Sequence, residues 1–219
     1  VPQAVIEGHC PSLVGLDLAK FLYRGIDGDH TEHTLQEIKE RFQNGMFVEL
    51  QEKMLRPEIL DYIREHRLYE HCCFVTDDTM ADKLKEQGQL NYVVRRAVEM
   101  GFPLNEAIYC ASYTPAGRMN LRDRESLAPG RKADFQLVKA EDCASFEPDY
   151  VFKDGREIYH LGEPGKKTEP YRFPDHFYRS VHLDSISAGQ IEPRLEMDDG
   201  KAEVRVIEVN DGRTQTGER

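Results

Sequence analysis

The sequence lacks any apolar run approaching the roughly 20 residues that a membrane-spanning helix needs. It is also short of basic side chains, because 29 Lys and Arg stand against 40 Asp and Glu, a formal net charge of −11. A chain of this charge is not expected to bind nucleic-acid polymers or anionic membranes through their phosphates. It shows no secretory signal. We therefore expect a cytoplasmic protein.

Cysteine pairs of the C-x-x-C type are absent, which argues against a zinc ribbon or a thioredoxin-like site. The cysteines are odd in number, and two adjacent ones lie in an apolar run, so buried, reduced thiols are predicted. Reduced thiols agree with a cytoplasmic location. The five are Cys10, Cys72, Cys73, Cys110 and Cys143.

The chain does contain enough sequence for one large domain or two small ones: 219 residues, 39% of them hydrophobic and 32% charged. It begins at Val1 without an initiator methionine, which we interpret as a piece of a longer protein.

Apolar strand-like runs recur in the first half, each followed by polar residues and then by a helical pattern. Four such units in a row predict a parallel sheet with helices outside it. The predicted strands are residues 4–6, 25–26, 46–50 and 72–76, and the helices are 13–23, 34–44, 57–66, 90–100 and 104–119.

After residue 119 the sequence pattern changes to short predicted strands separated by glycine and proline turns. Residues 135–138, 149–152 and 157–159 are predicted strands, with Asp154-Gly155 as a hairpin turn. A polar linker is predicted at 162–170, and a further β-rich segment at 177–209, with a strand over 202–209.

Chemistry-bearing side chains follow the four predicted strands. In a parallel sheet these positions share one edge, where active sites gather. Two imidazoles and a carboxylate suit a divalent transition metal, which would make a bound water available as hydroxide. An adjacent aspartate could then carry its proton to a leaving group. The candidates are His9, His30, Gln51, Glu52, Asp77 and Asp78.

Structural roles for these candidates remain open. His9 and His30 could each be ordinary loop histidines, and Asp78 could be a helix N-cap. Glu52 could pair with a neighbouring cation, Lys53 or Arg56. A nearby histidine, His33, is predicted to lie in the first turn of a helix and not to be a ligand, and two more, His66 and His71, are predicted to be exposed.

Four motifs stand out in the sequence: Glu-Gly-His-Cys-Pro at 7–11, Gly-Ile-Asp-Gly-Asp-His-Thr-Glu at 25–32, Phe-Val-Thr-Asp-Asp at 74–78 and Leu-Arg-Asp-Arg-Glu-Ser-Leu-Ala-Pro-Gly-Arg-Lys-Ala-Asp-Phe at 121–135. Their order resembles that in the adenine deaminases of the amidohydrolase superfamily. Segments at 151–156 and 202–207 extend the resemblance over almost the whole chain.

The resemblance implies an α/β fold: the C-terminal half of a (β/α)8 TIM-like barrel at 1–120, a small β-domain segment at 121–162, and a linker with the start of a further β-rich domain at 163–219. The superfamily's His-x-His after the first strand has no counterpart here, nor has its bridging carboxylate after the fourth. We therefore expect the chain to require a missing N-terminal half, to be inactive alone, and to form homo-oligomers in the complete protein.

The resemblance also implies the reaction, hydrolytic deamination of adenine to hypoxanthine and ammonia by a metal-bound hydroxide. His9, His30 and Asp77 are then metal ligands, and Asp77 is also the proton shuttle. Glu52 is assigned a catalytic role. The two substrate contacts are Gln51 and Asp78. The metal centre is expected to be binuclear manganese, with iron or zinc as alternatives.

The loop at 50–54 departs from the Arg-Glu-Gly-Ser run that many adenine deaminases carry at this place. Glu52 aligns with the family's glutamate, whereas the arginine and glycine are replaced. Two alternatives therefore stay open: an amidohydrolase acting on another aminopurine or a cyclic amide, and a non-catalytic binding or assembly module.

Overall fold

The protein consists of two compact units, Val1–Lys166 and Lys167–Arg219. The computed structural model describes residues 4–124, 126–139, 146–163, 169–192, 203–209 and 216–219. Within these ranges, no helix is both long enough and apolar enough to cross a bilayer.

The first unit is built on a four-stranded parallel sheet in the order β1-β2-β3-β4, as the repeated strand–helix pattern predicts. The third and fourth strands lie within the predicted ranges, but the first two are two residues long and begin about three residues late. Strand pairing explains the shift, because Glu7 lies opposite Gly28 and Gly8 opposite Asp29 in the parallel sheet, and the described residues just before them have no such partner in it. The strands are β1 Glu7–Gly8, β2 Gly28–Asp29, β3 Phe47–Leu50 and β4 Cys72–Phe74.

Helices follow each strand and pack on the outer face of the sheet. Those predicted at 57–66 and 90–100 are confirmed, and the one predicted at 104–119 is continuous but contains a π-helical turn, Tyr109–Tyr113. The short helix α4 was not predicted. The helices are α1 Gly15–Tyr23, α2 Leu35–Gln43, α3 Pro57–His66, α4 Ala81–Glu86, α5 Leu90–Glu99, α6 Leu104–Ile108 and α7 Thr114–Arg118.

The main hydrophobic core lies between the sheet and these helices. Val48, Leu50 and Phe74 point outward from neighbouring strands and are almost fully buried. They meet apolar residues of α3 and α5, including Ile63 and Val94. Alternate residues of β3 thus face the helix layer, and Phe47 and Glu49 point to the other side of the sheet.

The prediction of buried, reduced thiols is confirmed for the adjacent pair Cys72 and Cys73. Cys10 and Cys110 are buried and free as well, and Cys143 lies outside the described residues. Burial and the neighbouring Asp29 carboxylate raise the pKa of the Cys10 thiol to about 12. A hydrogen bond with Cys110 and burial raise the pKa of Cys72, and burial together with Glu49 raises that of Cys73.

Because all four described thiols are buried away from the reagent, we expect iodoacetamide at pH 8 to leave them unmodified in the native protein. After unfolding in urea, the same treatment should alkylate all four. Peptide mass mapping of both samples checks this. Rapid labelling of Cys10 before unfolding would contradict the burial described here.

Helix α2 begins with a capping box. Thr34 Oγ1 accepts a hydrogen bond from the Glu37 amide at 3.3 Å, and Glu37 Oε2 accepts from the Thr34 amide at 2.8 Å. We expect Thr34→Ala to lower the free energy of unfolding by about 1 kcal/mol, since it leaves a helix-end donor unpaired. Thr34→Ser keeps the acceptor, and it should lose less than half of that in urea denaturation; equal losses would contradict the capping role.

The first unit also contains a three-stranded antiparallel sheet in the order β5-β6-β7. The Asp154-Gly155 turn is confirmed, and both residues have positive φ, 50° and 73°, as this kind of hairpin requires. Phe135 and Phe152 stack across two of the strands with ring centroids 4.5 Å apart. The strands are β5 Phe135–Leu137, β6 Tyr150–Lys153 and β7 Arg156–His160.

The second unit is less strand-rich than predicted. Over the described part of 177–209, only β8 Ile207–Val209 is a strand, and it pairs with β9 Thr216–Glu218. A 3-10 turn, Asp175–Arg179, and a short helix, α8 Ala188–Ile191, replace the expected strands. The helix is favoured locally because Ser187 and Gln190 form a capping box. Within the predicted linker, residues 164–168 lie outside the described residues.

Candidate active site

The predicted site residues lie at the carboxyl ends of the four parallel strands. His9 follows β1, His30 follows β2, Gln51 follows β3 and Asp77 follows β4. Because the strands are parallel and adjacent, all four residues reach the same edge of the sheet.

The two histidines meet at this edge. His9 Nδ1 lies 3.3 Å from His30 Nε2, and the ring centroids are 5.2 Å apart. Two imidazole nitrogens that bind one cation at about 2.1 Å stand roughly 3.0 to 3.4 Å apart for octahedral to tetrahedral angles. The separation and the donor type therefore fit a shared divalent cation.

Asp77 is tied to this pair through Gln51. The Gln51 side-chain amide donates to Asp77 Oδ2 at 2.6 Å and to the His30 carbonyl oxygen at 2.8 Å. Asp77 has a left-handed backbone, φ 65°, which is uncommon for a residue other than glycine and recurs at functional sites. Gln51 thus connects the ends of β2, β3 and β4.

The three predicted ligands are not drawn into one tight cluster. Among the described residues, three ligand atoms lie within 4.8 Å of one another only at Glu157, His160 and Glu163, which belong to the small antiparallel sheet and the turn after it. The structure therefore brings His9 and His30 together and leaves Asp77 beside them, held by Gln51.

A fully buried charge network lies directly behind the two histidines. Asp29 Oδ2 accepts hydrogen bonds from Arg41 Nε at 3.0 Å, His33 Nε2 at 2.6 Å and Cys10 Sγ at 2.9 Å. Thr31 donates to the other oxygen of the same carboxylate. Since Cys10 follows His9 and Asp29 precedes His30, the network joins the two loops that carry the candidate ligands.

Arg41 extends this network from helix α2. Its guanidinium donates to the Cys10 carbonyl at 2.8 Å and to the Leu13 carbonyl at 3.3 Å, in addition to Asp29. Burial opposes ionisation of Asp29, but the hydrogen bonds from His33, Cys10 and Thr31 outweigh it and hold the pKa well below its usual value. The carboxylate is therefore charged, and Arg41 is its buried counter-ion.

Sequence reasoning missed this network and misread His33. His33 does not lie in the first turn of a helix; it precedes α2, is 2% exposed and binds Asp29. The available signal was Arg41, which stands one turn from Ile38 on the buried face of α2. A charged residue at a core position of an amphipathic helix needs a buried partner.

The remaining candidates lie further out. Asp78 is exposed and is not the N-cap of α4, which is Met80, so that alternative is wrong. Glu52 lies in an exposed 3-10 turn and accepts a hydrogen bond from Tyr92 Oη at 3.0 Å. Its suggested partner Arg56 pairs with Glu58 instead. The assigned roles of Glu52 and Asp78 stay predictions.

The opposite end of the strands is closed by an arginine from α7. Arg118 Nη2 contacts Glu7 at 2.6 Å and Asp27 at 2.9 Å, and its guanidinium lies 4.5 Å from the centre of the Phe47 ring. A Cβ on Gly28 would come within 1.9 Å of the Glu7 carboxylate. Gly28 therefore leaves the space that the Glu7 and Arg118 side chains occupy beside β2.

The chain resembles known proteins in sequence and in fold. Residues 70–158 match the model of the Amidohydrolase family. The chain is 42% identical over 218 residues to adenine deaminase 2 of Shouchella clausii, with 99% of this chain and 38% of that protein covered. It is 40% identical over 195 residues to the adenine deaminase of Clostridium perfringens, with 87% and 34% covered. The chain thus spans about a third of the length of these relatives.

Solved structures show the fold. The β-aspartyl dipeptidase of Fervidobacterium islandicum AW-1 matches with a TM-score of 0.57 at 19% identity, over 77% of this chain and 48% of that one. An enamidase described as a member of the amidohydrolase superfamily matches with a TM-score of 0.53 at 16% identity, over 74% and 49%. The likeness is to a TIM-barrel-type α/β fold. In sequence, the chain is thus similar over most of its length to proteins named adenine deaminase, and residues 70–158 match the Amidohydrolase family.

Proposed function

We propose that this chain forms the C-terminal half of a barrel enzyme that converts adenine to hypoxanthine and ammonia. The observation that carries the proposal is the meeting of His9 and His30 at the strand ends, 3.3 Å apart, with Asp77 fixed beside them through Gln51. The remaining strands and ligands come from a further segment of the same polypeptide or from a partner, and the complete protein is a cytoplasmic homo-oligomer.

The chain's contribution to metal binding is His9 Nδ1, His30 Nε2 and the Asp77 carboxylate. Imidazole nitrogen with carboxylate oxygen suits manganese, iron or zinc, and a binuclear manganese centre is our choice among them. The amidohydrolase superfamily generally uses divalent metals. When bound, such a metal would lower the pKa of a bound water, so that hydroxide is available near neutral pH to attack a ring carbon.

Asp77 moves the proton in this proposal. Gln51 engages Oδ2, so we assign Oδ1 as the atom that accepts a proton from the attacking water. Asp77 then delivers that proton to the exocyclic nitrogen of adenine, and the carbon–nitrogen bond breaks to release ammonia. One water is consumed, and the oxygen remains on the ring as the carbonyl of hypoxanthine. Asp78, which is exposed, would contact the purine, and Glu52, in the turn after β3, would assist catalysis.

The decisive experiment measures ammonia release from adenine by the complete protein, first stripped with a chelator and then reloaded with manganese. We expect turnover only after reloading. Absence of ammonia from the manganese-loaded protein would overturn the assignment. The 219-residue chain alone should release none, because it carries only part of the proposed ligand set.

A second candidate, hydrolysis of another aminopurine or a cyclic amide, is favoured by the loop at 50–54. This loop lacks the family's arginine and glycine, and its Glu52 is bonded to Tyr92. A substrate panel distinguishes the two, because cleavage of a cyclic amide opens a ring and liberates no ammonia. The third candidate, a binding or assembly module, predicts that the complete protein contains no stoichiometric transition metal.

A further inference from the structure

We propose that Gln51 is a positioning residue, which holds the Asp77 carboxylate and the His30 backbone in the geometry that binds the metal. The inference rests on the proposed function, since it concerns the same site. It assigns Gln51 a task other than the contact with substrate that the resemblance implies.

The hydrogen bonds of Gln51 carry the argument. A primary amide nitrogen has two hydrogens, and here Nε2 has two acceptors, Asp77 Oδ2 at 2.6 Å and the His30 carbonyl oxygen at 2.8 Å. Both donors are therefore used within the protein. The shorter of the two bonds goes to an ionisable carboxylate, and bonds of this kind are stronger than neutral ones.

Burial gives Gln51 the rigidity that this task needs. The residue is 5% exposed and directly follows β3, the central partner of β2 and β4. Asp77, by contrast, is exposed and has a left-handed backbone, φ 65°, which is uncommon outside glycine. At this exposed position, the hydrogen bond from the buried Gln51 holds the Asp77 carboxylate in one place.

Only a donor of this length fits the task. Glutamate would place a second carboxylate against Asp77 and would remove both hydrogens, while leucine has the bulk but no polar atom. Two variants therefore separate the loss of the donor from the loss of packing: Gln51→Glu keeps the shape, and Gln51→Leu keeps the burial.

The experiment measures manganese affinity of the complete protein by competition with a chelator, together with the visible spectrum of the cobalt-substituted protein. We expect both variants to bind manganese about 10- to 100-fold more weakly and to change the cobalt spectrum. In steady-state kinetics kcat should fall while KM for adenine changes less than about threefold, because a positioning residue does not bind substrate. The exposed Gln43, on α2, supplies the control Gln43→Leu, which should match the parent protein in every measurement.

Unchanged manganese affinity and an unchanged cobalt spectrum in both variants would overturn the inference. If Gln51→Leu does not fold, Gln51→Glu decides alone. A rise in KM with kcat unchanged would instead return Gln51 to the role of a substrate contact. The metal titration needs no turnover, so a parent protein that binds manganese but releases no ammonia refutes the proposed reaction and still tests Gln51.

Discussion

His9→Ala in the complete protein is expected to lower the rate of ammonia release from adenine by at least about 1,000-fold and to reduce the bound manganese. Loss of a residue that merely supports a metal ligand costs 10- to 100-fold, so removal of a ligand should cost more. The physical reason is that His30 Nε2 then faces an empty place where the His9 imidazole stood 3.3 Å away. Initial rates and metal analysis of the same preparation check the two effects together.

The matched control is His182→Ala, which removes an exposed imidazole from the second unit. It should retain the parent rate and metal content. If His9→Ala kept its activity within about tenfold of the parent, the pairing of His9 with His30 would not be a metal site. The second ligand variant, His30→Ala, should behave like His9→Ala, because each histidine supplies one nitrogen to the same proposed metal site.

The second large effect is expected at the buried charge network. Arg41→Met should lower the free energy of unfolding by about 3 to 5 kcal/mol, because it leaves the Asp29 carboxylate without its cation in a place where both side chains are 0% exposed. Removing Asp29 as well relieves this cost, so the double variant Asp29→Asn with Arg41→Met should be more stable than Arg41→Met alone. Urea denaturation followed by circular dichroism measures both.

An exposed ion pair provides the comparison. Lys20 contacts Asp17 at 3.0 Å with side chains 65% and 69% exposed, so Lys20→Met should change the free energy of unfolding by no more than about 0.5 kcal/mol. A loss below about 1 kcal/mol in Arg41→Met would show that Asp29 reaches solvent or another cation. The network would then not be the support of the two loops that we describe.

The sequence predicted best where one local pattern decides the structure. Helix α3 has the predicted bounds because Pro57 suits a first helical turn and its apolar residues repeat at helical spacing. The meeting of His9 and His30 was also predictable, since parallel strands end at a common edge. Strands β1 and β2 were misplaced because two-residue strands contain no alternation, and their bounds depend on what passes beside them.

Other parts of the site depend on contacts between distant residues and could not be predicted. Asp29 and Arg41 are twelve residues apart, and nothing local shows that both are buried. The hydrogen bond from Gln51 to Asp77 joins residues 26 positions apart. Asp77 has a left-handed backbone there, which the sequence does not show. A polar side chain gains such a role from the side chains that surround it, and a single sequence does not show them.

The ion cluster of Arg118 has a consequence for the order of folding. Arg118 is separated from Glu7 by 111 positions and from Asp27 by 91, so the ends of β1 and β2 remain unclamped until helix α7 has docked. Contacts of such long range form late, because the intervening chain must first be ordered. During synthesis, this ion cluster at the amino ends of β1 and β2 therefore forms only after the segment that carries Arg118 has left the ribosome.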